Sequence, residues 1–259
     1  MTWWEGVILG FLQGATEFLP VSSSGHLVMG QALLGLQLPG LGFEVALHVA
    51  TLVSVLVVYR GRIRSLAVGV ARGDRAALRY VGLLLVASLP AAVAGIGFEQ
   101  AFEALFDVPW VTGVALLLTG VILWTSRAAL RGEPSREPGL GDAVLMGLAQ
   151  AAAIVPGISR SGSTVVTGLW RGVDPQEAAA FSFLMSVPAI GGAAVLKLPD
   201  MLPGGGGSGS GILIIGAIVA CATGVLAIRT FVAMLRHRSF YRFAPYLWVV
   251  GTLFLLSTR

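Results

Sequence analysis

The sequence predicts an all-α polytopic membrane protein made of two inverted-topology repeats, each a re-entrant helix hairpin followed by three transmembrane helices. Three observations predict it. Hydrophobic residues make up 56% of the 259 residues and charged ones only 12%, with a mean hydropathy of +0.85, whereas a soluble domain carries about 25% charged residues. Several apolar runs approach the roughly 20 residues that a helix needs to cross a bilayer. Finally, one polar pattern interrupts the apolar sequence twice. Residues 10–26 read Gly-Phe-Leu-Gln-Gly-Ala-Thr-Glu-Phe-Leu-Pro-Val-Ser-Ser-Ser-Gly-His, and residues 147–164 read Gly-Leu-Ala-Gln-Ala-Ala-Ala-Ile-Val-Pro-Gly-Ile-Ser-Arg-Ser-Gly-Ser-Thr. Aligned without a gap, Gly10 meets Gly147, Gln13 meets Gln150, and Ser22, Ser24 and Gly25 meet Ser159, Ser161 and Gly162; Ser23 falls opposite Arg160.

The first repeat is expected over residues 1–125. Its apolar segments 3–19 and 26–38 are too short to cross comfortably and are separated by Pro20 and three serines. A hairpin over 3–38 is therefore expected, since non-helical backbone at membrane depth is tolerated where protein or a wet cavity satisfies it. Spans follow at 43–59, 80–97 (with a kink expected at Pro90) and 110–124. A partly amphipathic loop is expected at 60–79 and an acidic link at 98–109. The second repeat, 142–259, has its hairpin at 142–173 around Pro156-Gly157 and spans at 177–198, 212–235 and 243–256. Residues 203–211 are nearly all Gly and Ser, a flexible linker, and hold no Lys for a phosphate-binding loop.

The net charge of +4 comes almost wholly from Arg. Six Arg lie in 60–79, three in 126–141 and three in 236–242, whereas 98–109 and 199–211 hold none. Such clustering in short loops is an orientation signal that places these loops in the cytoplasm, and nucleic acid is not an expected partner. One hairpin plus three spans is an odd number of crossings, so the second hairpin enters from the side opposite the first and the two tips meet near mid-membrane. Cys221 is the only cysteine, so no disulfide forms within the chain. No cleavable signal peptide is expected, because no Arg or Lys precedes Arg60.

Ionisable groups inside a membrane are functional candidates by default. Arg160 offers a planar, permanently charged fork suited to phosphate oxygens. Half-helices starting near Ser24 and Ser161 would aim their positive ends at the same place, with the glycines and serines supplying exposed N–H groups and hydroxyls. Ser22, Ser23 and His26 offer a hydroxyl nucleophile and a base or acid. Glu17 can ligate a hard cation or move a proton. Cleavage of a phosphate ester or anhydride would use all these parts. The bland roles are backbone bonding for Gln13 and Thr16, helix capping for some of the serines, and a local pair for Glu44 and His48.

Gln-Gly-Ala-Thr-Glu-Phe-Leu-Pro-Val-Ser-Ser-Ser-Gly-His-Leu and Pro-Gly-Ile-Ser-Arg-Ser-Gly-Ser-Thr resemble the two signature motifs of the bacterial undecaprenyl-diphosphate phosphatases, the bacitracin-resistance family. The resemblance implies hydrolysis of undecaprenyl diphosphate to the monophosphate, which recycles the cell-wall lipid carrier. It also implies a site open to the outer face of the cell membrane and dependence on Mg²⁺ or Ca²⁺. Carried over, the catalytic residues are Glu17, Ser23, His26 and Arg160, with either Ser23 or His26 as nucleophile. Ser22, Ser24, Gly25, Ser159, Ser161, Gly162, Thr164 and Gln13 would surround the substrate. Glu17, with Gln13 acting through a water, is the candidate metal ligand, although Gln13 stands where many members have Glu. The expected partners are undecaprenyl diphosphate, membrane lipid and a second copy in a homodimer. A lipid-phosphate flippase is the alternative, since secondary transporters also build sites from broken helices in inverted repeats.

Overall fold

A computed structural model describes residues 1–35, 42–106, 108–196 and 210–258. Residues 203–209 of the Gly- and Ser-rich stretch, Asp107 and the side chain of Glu44 lie outside the described residues. Helices account for nearly all of the described chain, and its one extended pairing is the isolated bridge Arg136–Val173. The helices are α1 (Trp3–Phe18), α2 (Ser23–Leu34), α3 (Gly42–Val58), α4 (Arg60–Ala71), α5 (Arg75–Gly97), α6 (Glu99–Phe106), α7 (Pro109–Arg131), α8 (Leu140–Ala152), α9 (Arg160–Trp170), α10 (Pro175–Leu196), α11 (Ser210–Arg236) and α12 (Phe243–Ser257). A 3₁₀ turn, Phe240–Arg242, leads into α12.

Helices α5, α7, α10, α11 and α12, the last taken with its 3₁₀ turn, are long and apolar enough to cross a membrane, and α3 bends by 76° into α4. Leu85, Leu89, Val93 and Ile96 run along α5 fully outward, as do Ile214 and Ile218 on α11 and Val249 and Leu253 on α12. Spaced three, four or seven apart, they form apolar stripes on the outside of the bundle, which is what hydrocarbon requires of a spanning helix.

Two segments differ from the sequence-based expectation. Residues 60–79 are not a loop: α4 runs as far as Ala71, and α5 begins at Arg75 under an N-cap from Asp74, whose carboxylate accepts from Ala76 N at 3.1 Å. Arg favours helix as much as loop, and α4, though none of its residues is buried, lies against α5 where Gly69 meets Ala77. Residues 98–109 contain α6, where Glu, Gln, Ala and Leu supply the propensity that a reading by charge alone passes over.

Apolar side chains gain little by leaving lipid for protein, so membrane helices depend on close backbone approach. Gly6, Gly10 and Gly14 recur every four residues along α1, and a Cβ on Gly10 or Gly14 would collide with Gly216 O or Ala220 O of α11. That seam fixes α1 against α11. At its far end Phe18 sits edge-on to Phe183 of α10 at 5.5 Å, and Phe183 edge-on to Phe231 of α11 at 5.3 Å. The residue before Phe18 is Glu17, so the seam and the aromatic stack set the position of that carboxylate.

The basic segments gather at one end of the bundle. Arg62 pairs with Glu177 at 3.0 Å and stacks on Tyr80. Arg171 reaches buried Asp142 at 3.0 Å and Arg136 reaches it at 3.4 Å. Arg238 donates to Leu130 O at 3.3 Å.

Candidate active site

The first helix break is shaped by its own backbone. α1 stops at Phe18 because Leu19 is extended before Pro20, as residues preceding proline prefer. Val21 N then bonds Leu19 O at 2.8 Å, and Ser22 takes φ +69°, a left-handed conformation uncommon outside glycine. α2 starts at the next residue, Ser23. The second break turns at Gly157, φ +96°, where a Cβ would strike Thr112 O. Thr119 of α7 locks it, donating to Gly157 O at 2.9 Å and accepting from Ser159 N at 3.1 Å. Ser159 caps α9, its hydroxyl accepting from Gly162 N at 3.1 Å.

The two breaks touch. Arg160 Nη2 donates to Glu17 Oε1 at 2.8 Å, and Ser161 Oγ donates to Leu19 O at 3.3 Å. Glu17 is the hub, with its side chain 6% exposed. Its other oxygen, Oε2, accepts from Ser23 Oγ at 2.6 Å and from Gln13 Nε2 at 3.1 Å. Arg160 Nη1 is buried and has no hydrogen-bond partner among the described residues, and the same holds for Gln13 Oε1. A buried guanidinium N–H without an acceptor is strongly unfavourable, and a phosphate oxygen would supply that acceptor.

The other residues singled out from sequence divide into two groups. Ser22 and Ser24 hydroxyls face each other at 3.2 Å beside Ser23, and Gly25 lies against Thr112 and Leu116. Gly162 lies close to Pro20 of the first break. Three hydroxyls are taken up by the frame. Ser159 caps a helix, Ser161 holds the opposite break, and Thr164 donates to Arg160 O at 2.7 Å and shares a 2.6 Å bond with Ser182.

His26 is not hydrogen-bonded to Ser23. Its Nδ1 bonds Ser22 O at 2.8 Å and its Nε2 bonds Tyr246 of α12 at 2.7 Å. Among the described residues the acceptor for the Ser23 proton is therefore Glu17. His48, read from sequence as a local pair with Glu44, brings its Nε2 to 3.8 Å from Glu17 Oε2 across from α1. One neighbour, Tyr246, escaped the sequence reading. It gave no signal, since tyrosines near the ends of spans are ordinarily interface anchors.

The family described as bacitracin resistance protein BacA matches residues 6–253. The chain belongs to this family. Three relatives match this BacA-family chain over nearly the whole length of both. Undecaprenyl-diphosphatase of Desulforapulum autotrophicum is 38% identical, covering 99% of both chains. That of Rubrobacter xylanophilus is 42% identical, covering 96% of both. Undecaprenyl-diphosphatase 4 of Bacillus cereus is 38% identical over 98% of this chain and 97% of its own.

The divalent cation expected from the family resemblance can be tested against the donors present. Mg²⁺ and Ca²⁺ take six or more oxygen ligands. Among the described residues Glu17 is the one carboxylate at the meeting point, and both its oxygens already accept from Arg160, Ser23 and Gln13. No group of three or more His, Cys, Asp and Glu side chains comes together among the described residues. These residues do not fit a cation cage built from protein alone.

Proposed function

We propose that the chain hydrolyses undecaprenyl diphosphate to undecaprenyl phosphate and inorganic phosphate, and so returns the lipid carrier to cell-wall synthesis. The observation that carries this reading is Arg160, which holds Glu17 through Nη2 while its buried Nη1 has no partner among the described residues, and Glu17 in turn accepts from Ser23 Oγ at 2.6 Å. Arg160 clamps the terminal phosphoryl group, whose negative charge is spread over its equatorial oxygens during transfer. Ser23 Oγ attacks its phosphorus as the proton passes to Glu17, and the anhydride P–O bond breaks with the lipid phosphate leaving. Water then opens the phosphoserine, Ser23 regains a proton and inorganic phosphate departs. The N-terminal ends of α2 and α9, which begin at Ser23 and Arg160, add positive potential for the anion. Any divalent cation would arrive on the diphosphate rather than wait on the protein.

Purified protein should release inorganic phosphate from undecaprenyl diphosphate in detergent, and Ser23→Ala should not. A Ser23→Ala variant that turns over at the parent rate would remove serine from the mechanism.

The site would open to the outer face, with the Arg-rich end in the cytoplasm. In a Cys221→Ser background, Arg72→Cys in intact cells should be inert to an impermeant thiol reagent and become labelled after permeabilisation. Labelling without permeabilisation would reverse the orientation.

A further inference from the structure

We propose that Tyr246 is a positioning residue for His26, an inference that rests on the phosphatase reading only for its kinetic test. Ser22 O can only accept, so the 2.8 Å contact from His26 Nδ1 assigns the proton to Nδ1 and leaves the Nε2 lone pair to be satisfied. The Tyr246 hydroxyl satisfies it at 2.7 Å, and the two rings lie nearly parallel, 13° apart with centroids 5.8 Å apart.

The depth of Tyr246 makes the contact unusual. Gly120, half-way along α7, faces Ala244 O and the Trp248 ring of α12, so Tyr246 sits level with the middle of a spanning helix. A tyrosine at an interface would satisfy its hydroxyl with water. Here the ring is 44% exposed on the outside of the bundle, and the hydroxyl makes its one hydrogen bond among the described residues to His26. A phenol can rotate its proton away and accept instead. The same contact therefore serves His26 both as a neutral ring and after Nε2 has taken a proton, which phenylalanine could not do. Together with Ser22 O, which also accepts from His26 N at 3.3 Å, Tyr246 fixes the plane and the tautomer of the imidazole. It reaches the first hairpin from the last span, 220 residues away in sequence.

Tyr246→Phe keeps the ring and removes only the oxygen. With His26 counted among the catalytic residues, as the family resemblance implies, the expected result is a fall in kcat of about tenfold with KM within twofold of the parent and an unchanged melting midpoint. In ¹⁵N-histidine spectra the Nε2 resonance of His26, assigned by its absence in His26→Gln, should move while those of His48 and His237 stay. A parent-like kcat, or a loss in which KM and melting midpoint change together with kcat, would overturn the proposal. An unmoved Nε2 resonance would do the same. If the parent protein released no phosphate, the phosphatase reading would fall, and the spectra would still decide whether Tyr246 holds His26.

Discussion

Arg160→Lys should hydrolyse undecaprenyl diphosphate at about one hundredth of the parent rate or less, hardly better than Arg160→Ala. Loss of one preorganised donor to a transferring phosphoryl or acyl group typically costs about 2.7–4 kcal/mol, or 10²–10³-fold. Arg160 is asked to do two things at once. Nη2 pairs with Glu17 at 2.8 Å, and Nη1, buried and without a partner among the described residues, is the donor that the proposed mechanism gives to the substrate. A lysine brings one compact charge and no fixed fork. It would collapse onto Glu17 or reach for phosphate, and either choice disables the other half of the site. Steady-state phosphate release with purified variants is the measurement. A Lys variant within threefold of the parent would reduce Arg160 to a counter-charge.

Glu17→Gln should be the most damaging single-atom exchange in the chain, and it should damage two properties together. Turnover should fall by about 10³-fold, within the roughly 10²–10⁴-fold that a positioned proton acceptor contributes, because Ser23 would lose the carboxylate 2.6 Å away that takes its proton in the proposed mechanism. The fold should also suffer. The Arg160 side chain is 14% exposed, and a charge left without its partner in such surroundings costs about 3–5 kcal/mol. Ser23→Ala separates the two effects, since it should abolish turnover without lowering the melting midpoint by more than a degree or two. Adding Arg160→Met to Glu17→Gln should restore stability without activity, because replacing both members of a buried pair removes the uncompensated charge. A Glu17→Gln variant that is inactive yet as stable as the parent would contradict the burial of the pair.

Much of this could be read from residues whose chemistry conflicts with their surroundings. A Glu and an Arg in apolar sequence need each other or a ligand, so Glu17 and Arg160 stood out, and Pro20 and Pro156 marked where the helices give way. Residues that fit their surroundings stayed hidden. Thr119 locks the second break with two hydrogen bonds, but a threonine in a spanning helix ordinarily bonds its own backbone. Tyr246 was hidden for the same reason. The serines carried both readings from the start: Ser159 and Ser161 were candidates for the substrate and for capping, and their hydroxyls complete the frame, because an interrupted helix must satisfy its own backbone. The helix at 60–71 was passed over because its charge argued for a loop, and charge says nothing against helix where lipid headgroups and water are at hand.

The contact between Glu17 and Arg160 spans 143 residues of sequence, and that separation has a consequence for biosynthesis. At roughly 5–20 residues per second, the ribosome needs on the order of 7–30 s to go from one to the other. Through that interval the first hairpin stands in the membrane with its acid made and its base not yet translated. Chains cut short between the two hairpins carry that acid without its partner, whereas the completed chain quenches it as soon as α9 inserts. Glu17 and Arg160 are thus neutralised as a pair only once both helix breaks are in place.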